Sequence, residues 1–167
     1  RRVPRSPHTA ASTAIGLAIG ADPEAAYTVR EQLSRGVGVF RERDAGSFIS
    51  FDTLLEPNTE LAPGETPTIK RRYRAAHNIG YFRFVEYSSL DDSWVPRGDL
   101  QPYGEVIFPF DHALRRSNVD IASVPVVRTE DGPLIEESYM VDENGMVTVE
   151  ITDVEAAYTV SCPLGRK

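Results

Sequence analysis

The feature that most constrains this chain is the way its apolar residues are cut into short pieces. From Leu33 onward the segments are short, β-branched or aromatic, and separated by clusters of Pro, Gly, Asn or Asp. The pattern predicts strands at 37–42, 47–55, 68–74, 80–87, 105–110, 125–128, 134–141, 146–152 and 157–162. Strands this short and numerous predict a mainly β fold, an antiparallel β-sandwich or barrel. The clearest unit is the hairpin at 135–152. There Asp142-Glu143-Asn144-Gly145 joins two runs, and Asn-Gly supplies the positive backbone angles of a tight turn. In its second strand Val147, Val149 and Ile151 share one face and Thr148, Glu150 and Thr152 the other, so one side is core and the other wet.

Residues 12–26 are instead helix-permissive, and Asp22-Pro23-Glu24 offers an N-cap, a first-turn proline and an acidic first turn. The chain is therefore divided into a helical preface, 1–32, and a β domain, 33–167. The apolar stretch 10–21 is too short and too rich in Ala, Gly and Ser to span a bilayer, which takes about 20 apolar residues. The charged start, which lacks Met, reads as a chain cut from something larger.

Of the titratable residues, 18 are Lys or Arg and 25 Asp or Glu, a formal charge of −7 that argues against general affinity for nucleic-acid backbones. Cys162 is the single cysteine, so no intrachain disulfide or thiolate cluster can form, and a cytoplasmic setting is expected. His8, His77 and His112 lack a second ligand at strand or helix spacing, so no metal is expected. There is no Gly-x-Ser-x-Gly elbow, P-loop or dinucleotide fingerprint, and no enzyme activity is expected of this chain. Asp91-Asp92 reads as a solvated loop. The basic island Lys70-Arg71-Arg72-Tyr73-Arg74 could hold an acidic partner or RNA, but an edge strand guarded by charge is the better reading.

Two segments are unusually dense in large apolar groups, 37–40 and 81–85. In the second, Phe82 and Phe84 share one face while Tyr81, Arg83 and Val85 share the other. Such a strand can simply be core on one side. Alternatively, its second apolar face can receive an extended peptide.

The order of segments resembles the substrate-binding β-sandwich of DnaK-type, seventy-kilodalton heat-shock chaperones. The stretch 133–153, PLIEESYMVDENGMVTVEITD, is similar to that family's P-x-I-E-V-x-F-x-I-D-x-N-G-I-L-x-V-x-A-x-D segment. Leu54 to Pro63 resembles a strand followed by N-T-x-I-P, and Leu33-Ser34-Arg35-Gly36-Val37 resembles L-S-L-G-I. Ala14-Ile15-Gly16-Leu17-Ala18-Ile19 is similar to the small-residue helix that ends the family's ATPase domain.

The resemblance implies a stress-response chaperone module that holds extended apolar segments of unfolded clients. Val37, Val39 and Phe40 match the first lining segment, with Phe40 an arch residue. Phe82 and Phe84 match the second, Ile135 matches the Ile of P-x-I-E, and Ile69 is assigned more loosely. It implies no cofactor in this chain, with ATP in an upstream ATPase domain, and J-domain co-chaperones and a nucleotide-exchange factor as further partners. Nucleic acid and membrane are not expected partners. This sequence departs from the pattern in a charged linker, 27–33, and in a longer connection, 110–132. The chain also ends straight after the last strand, which implies a lidless or truncated member. The alternative is a fixed interaction or dimerisation sandwich without client turnover.

Overall fold

In the computed structural model the described residues are Ala18, 31–61, 66–142 and 145–165. The chain divides into two units, Arg1–Arg30 and Glu31–Lys167. The helical preface thus lies outside the described residues, Ala18 and the last two positions apart. The second unit opens at Glu31, slightly ahead of the expected boundary. Glu31–Gln32 (β1) already pairs there with Glu60–Leu61 (β4).

The rest of this unit is mainly β and antiparallel. One sheet runs in the order β3-β2-β6-β9, from Phe48–Leu55, Gly36–Arg43, Ile79–Tyr87 and Gln101–Pro109. The other runs β12-β11-β10-β5, from Tyr158–Leu164, Val147–Asp153, Leu134–Val141 and Thr68–Arg74. Every pairing within them is antiparallel. The two sheets share one core. Val39, Phe84, Val106 and Phe108 come from the first sheet, and Ile135, Tyr139, Val149 and Ile151 from the second. The aromatic rings of Phe84 and Tyr139 meet edge to face across it, 5.9 Å between centroids.

Period-two patterning explains these faces. In β11 the expected alternation holds, with Val147, Val149 and Ile151 buried and Thr148, Glu150 and Thr152 only half-buried. In β6, Phe82 and Phe84 point into the core while Tyr81 is exposed on the opposite face, with Arg83 over its ring. The basic island forms β5, which among the described residues is an edge strand, as expected. Its charged side chains divide by parity. Lys70, Arg72 and Arg74 are outward and exposed, whereas Arg71 and Tyr73 are half-buried.

One expectation is corrected. Residues 125–128 form no strand, only a single bridge between His77 and Arg128. Side chain and backbone of Asn78 hold this segment in place of a neighbouring strand: Asn78 Oδ1 accepts from Val127 N–H and Nδ2 donates to the Pro125 carbonyl. The expected hairpin joins β10 to β11. Val141 pairs with Val147, and the Gly145 N–H donates to the Asp142 carbonyl. Gly145 takes the left-handed position, φ 76°.

The 110–132 connection carries a short helix, His112–Arg115 (α1), capped by the Asp111 carboxylate. A small hairpin of Ser89–Leu90 (β7) and Pro96–Arg97 (β8) carries the chain's single tryptophan. Trp94 is 59% exposed, with φ at 60°. Asp91 Oδ1 accepts from the N–H groups of Ser93 and Val95 and fixes this tip.

Gly145→Ala is expected to lower stability by about 1–2 kcal/mol, because the added methyl disfavours the left-handed region. It would also approach Leu33 to 2.6 Å. Urea unfolding followed by far-ultraviolet circular dichroism checks this as a lower midpoint.

Candidate functional site

The candidate site is where one sheet comes apart. β2 and β6 are paired only from Gly36 opposite Tyr87 to Val39 opposite Phe84. Beyond that point, among the described residues, Phe40 to Arg43 stay paired with β3 alone, and Ile79 to Arg83 with β9 alone. The two strands diverge, and each turns one backbone edge away from a ladder partner. Between them lies a cleft of about 530 Å³ lined by Phe40, Tyr73, Ile79, Tyr81 and Phe82 among others. Phe40 is 47% exposed and leans on Phe51, 5.1 Å between ring centroids, which in turn meets Tyr87. Gly80 leaves room in the wall. A methyl there would come within 2.6 Å of the rings of Phe82 and Phe110.

Beneath the cleft a polar cluster ties the two sheets together. Glu137 has the parity of Ile135, Tyr139 and Val141 in β10, so its carboxylate is aimed into the core and is fully buried. Arg41, at the end of β2, meets it with both terminal nitrogens, Nη1 at 2.9 Å. The hydroxyls of Tyr73 and Tyr139 donate to the same carboxylate. Arg41 Nε also donates to Asp52 at 2.6 Å, and Arg71 grips Asp52 from β5. A buried carboxylate needs this many donors, because an unpaired charge out of water costs several kcal/mol.

The titrations follow from this packing. Burial pushes the hydroxyls of Tyr73 and Tyr139 well above the ordinary tyrosine value, and the charge of Glu137 adds to it. Burial also pushes the Asp52 carboxyl up. The hydrogen bonds and charges of Arg71 and Arg41 outweigh this and hold it below its ordinary 3.8.

A strap closes one end of the cleft. Arg128, in the segment pinned by Asn78, reaches Glu42 at the end of β2, and His77 Nε2 lies 3.4 Å from the same carboxylate. Val126, beside it, is exposed and lines the cleft.

Elsewhere, buried Asp153 accepts from Arg115 at 2.7 Å and from the backbone of Glu155 and Ala156, and His112 Nε2 lies 2.9 Å away. Arg115 covers the ring of Tyr158 at 4.4 Å. This arrangement anchors α1 to the end of β11. Among the described residues no three His, Cys, Asp or Glu side chains group as a metal site requires.

The seven residues expected to bind peptide separate into two groups. Phe40, half exposed, and Phe82, itself 7% exposed and packed in the core, line the cleft. Val37, Val39, Phe84 and Ile135 are buried in the core, 0–4% exposed, and Ile69 is half-buried beside Tyr139 in the register of β5 and β10. These five support the walls and do not line them. Arg41, Asp52, Glu137 and Arg128 went unmarked in the sequence, while Arg71 stands out there only within the basic island and His77 only as a histidine without a second ligand. Parity could have found Glu137 and Arg41, each a charge in phase with core positions.

Compared with models of protein families and with curated proteins, the chain matches none.

Arg41→Met strands the Glu137 carboxylate and is expected to cost about 3 kcal/mol, whereas the double variant Arg41→Met, Glu137→Leu should recover part of that loss. Urea unfolding of the three proteins checks the coupling. The Asp52 carboxyl, lowered on folding, contributes stability that is present above the unfolded value near pH 4 and lost as pH falls through the lower folded value. Asp52→Asn should therefore flatten the stability decline below about pH 4, measured as urea midpoint against pH.

Proposed function

We propose that residues 31–165 form a peptide-binding β-sandwich of the DnaK-type chaperone kind, holding extended apolar segments of unfolded polypeptides. The observation that carries this reading is the separation of β2 from β6. Among the described residues it leaves Phe40–Arg43 and Ile79–Arg83 each with a single ladder partner, beside a cleft lined by Phe40 and Phe82. An extended peptide supplies the missing partner. Its main chain hydrogen-bonds to a strand edge, and alternate side chains enter the cleft. Burying one Leu side chain there contributes roughly 1.5–3 kcal/mol.

In this reading the chain itself performs no chemistry. Turnover of bound peptide would come from an upstream ATPase domain using ATP, with J-domain co-chaperones and a nucleotide-exchange factor. The charged segment 27–33 weakens the usual apolar coupling between such domains.

A second reading has its own support. On β3, an edge strand of its sheet among the described residues, Phe48 is 50% and Ile49 71% exposed. Exposed apolar residues on an unpaired edge suit a fixed strand-to-strand interface. Light scattering across a concentration series separates the two. A tight dimer abolished by Ile49→Lys favours the fixed interface, and a monomer favours the open cleft.

The test of the first reading is fluorescence anisotropy of a labelled Leu-rich seven-residue peptide. Phe40→Ala and Phe82→Ala should each weaken binding by about 5- to 30-fold, corresponding to about 1–2 kcal/mol. Unchanged affinity in both folded variants would sink the idea.

A further inference from the structure

The walls of the cleft carry an unusual charge. Arg41, Arg43, Arg71, Arg72, Arg74 and Arg128 line it against Glu42, Asp44 and Asp52. A third of the chain's 18 cationic residues are thus gathered at one place, although Glu137, Glu136 and Glu155 stand just outside this lining as partners of Arg41, Arg72 and Arg74.

The six arginines are not equivalent. Arg41 and Arg71 are held by Glu137 and Asp52, and Arg128 by Glu42. The other three have weaker claims on them. Arg43 donates to the Ser50 hydroxyl at 2.9 Å and, among the described residues, meets no carboxylate in an ion pair. Arg72 stands 3.8 Å from Glu136, and Arg74 3.1 Å from Glu155, with both arginine side chains more than half exposed. Exposed pairs of this kind contribute little and exchange readily for another anion. Arg43 lies at the end of β2 and Arg72 and Arg74 on β5, so exchangeable cations flank the aromatic lining from two different strands.

Resting on the peptide-binding reading, we propose that the cleft selects extended segments in which an apolar side chain is flanked by Asp or Glu. The apolar side chain sits against Phe40 and Phe82, and the flanking carboxylates replace water or a weak surface partner on Arg43, Arg72 and Arg74. A guanidinium and a carboxylate can meet through two parallel hydrogen bonds, which gives the pairing direction as well as charge. Segments flanked by Lys or Arg meet like charge at the same places and are rejected.

The test uses three labelled peptides with the same Leu-Leu-Leu centre, flanked on both sides by Glu, by Ser or by Lys, titrated with the protein at about 20 mM and about 1 M salt. The expected order at low salt is Glu, then Ser, then Lys, with the first about five- to tenfold tighter than the second. At high salt the three should converge, since exposed charges are screened within about 3 Å. The variant Arg43→Gln, Arg72→Gln should shrink the difference between Glu and Ser flanks, and Arg43→Lys, Arg72→Lys should retain most of it. Equal affinities or the reverse order, with the Ser-flanked peptide still bound, would overturn the charge selection and leave the peptide cleft standing. Failure of all three to bind would overturn both.

Discussion

The pairing of Arg41 with Glu137 is the constraint around which the two sheets are arranged. It joins the end of β2 to the middle of β10 across the core. Because its carboxylate is fully buried, every donor near it is committed: Tyr73 and Tyr139 from the second sheet, Arg41 from the first. Arg41 then draws in Asp52, and Asp52 draws in Arg71, so four strands meet in one network. A charge pair replaced by apolar residues can leave a sandwich just as stable, so the pair is best understood as fixing alignment and not as adding stability. Apolar side chains tolerate a slip between sheets, whereas a guanidinium fork on a carboxylate does not.

That alignment matters because the cleft lies directly beside it. β2 must leave β6 after Val39 and yet remain attached to the rest of the molecule, and Arg41 provides the attachment one residue after Phe40. The strand can then diverge without coming loose. On the other side Arg128 and His77 meet Glu42, so the diverging arm is held at two successive positions, once through the core and once over the surface. The aromatic lining, the strand edges and the arginines are all carried on elements fixed in this way.

Much of this fold was legible in the sequence. Two strands, β5 and β10, have the expected bounds, and others differ by a few residues, because alternation of apolar and polar residues is a local signal that burial reinforces. The segment at 125–128 misled for a physical reason. Pro125, Val126 and Val127 have strand-like composition, but Asn78 satisfies their backbone in place of a neighbouring strand. The site was harder to see. Val37, Val39, Phe84 and Ile135 are apolar and in phase with the core, and a sequence does not distinguish a residue that lines a cleft from one that supports its wall. Phe40 is out of phase with Val37 and Val39, and Phe82 is itself buried, so their place beside the cleft follows from where the β2–β6 ladder ends, a pairing of residues more than 40 positions apart that no local pattern carries. The charges at Arg41 and Glu137 carried the missing information in their parity.

The placement of Trp94 has an optical consequence. The only indole in the chain sits in water at the tip of a two-strand hairpin, fixed by Asp91, while the core and cleft are furnished with Phe and Tyr. More than half of its surface is exposed in the folded state, so its red-shift on denaturation is expected to be small and to record the melting of that hairpin. Quenching by a ligand in the cleft will be equally faint. The intrinsic signal with structural content is the near-ultraviolet dichroism of the tyrosines, above all Tyr73 and Tyr139, whose hydroxyls are locked on the Glu137 carboxylate.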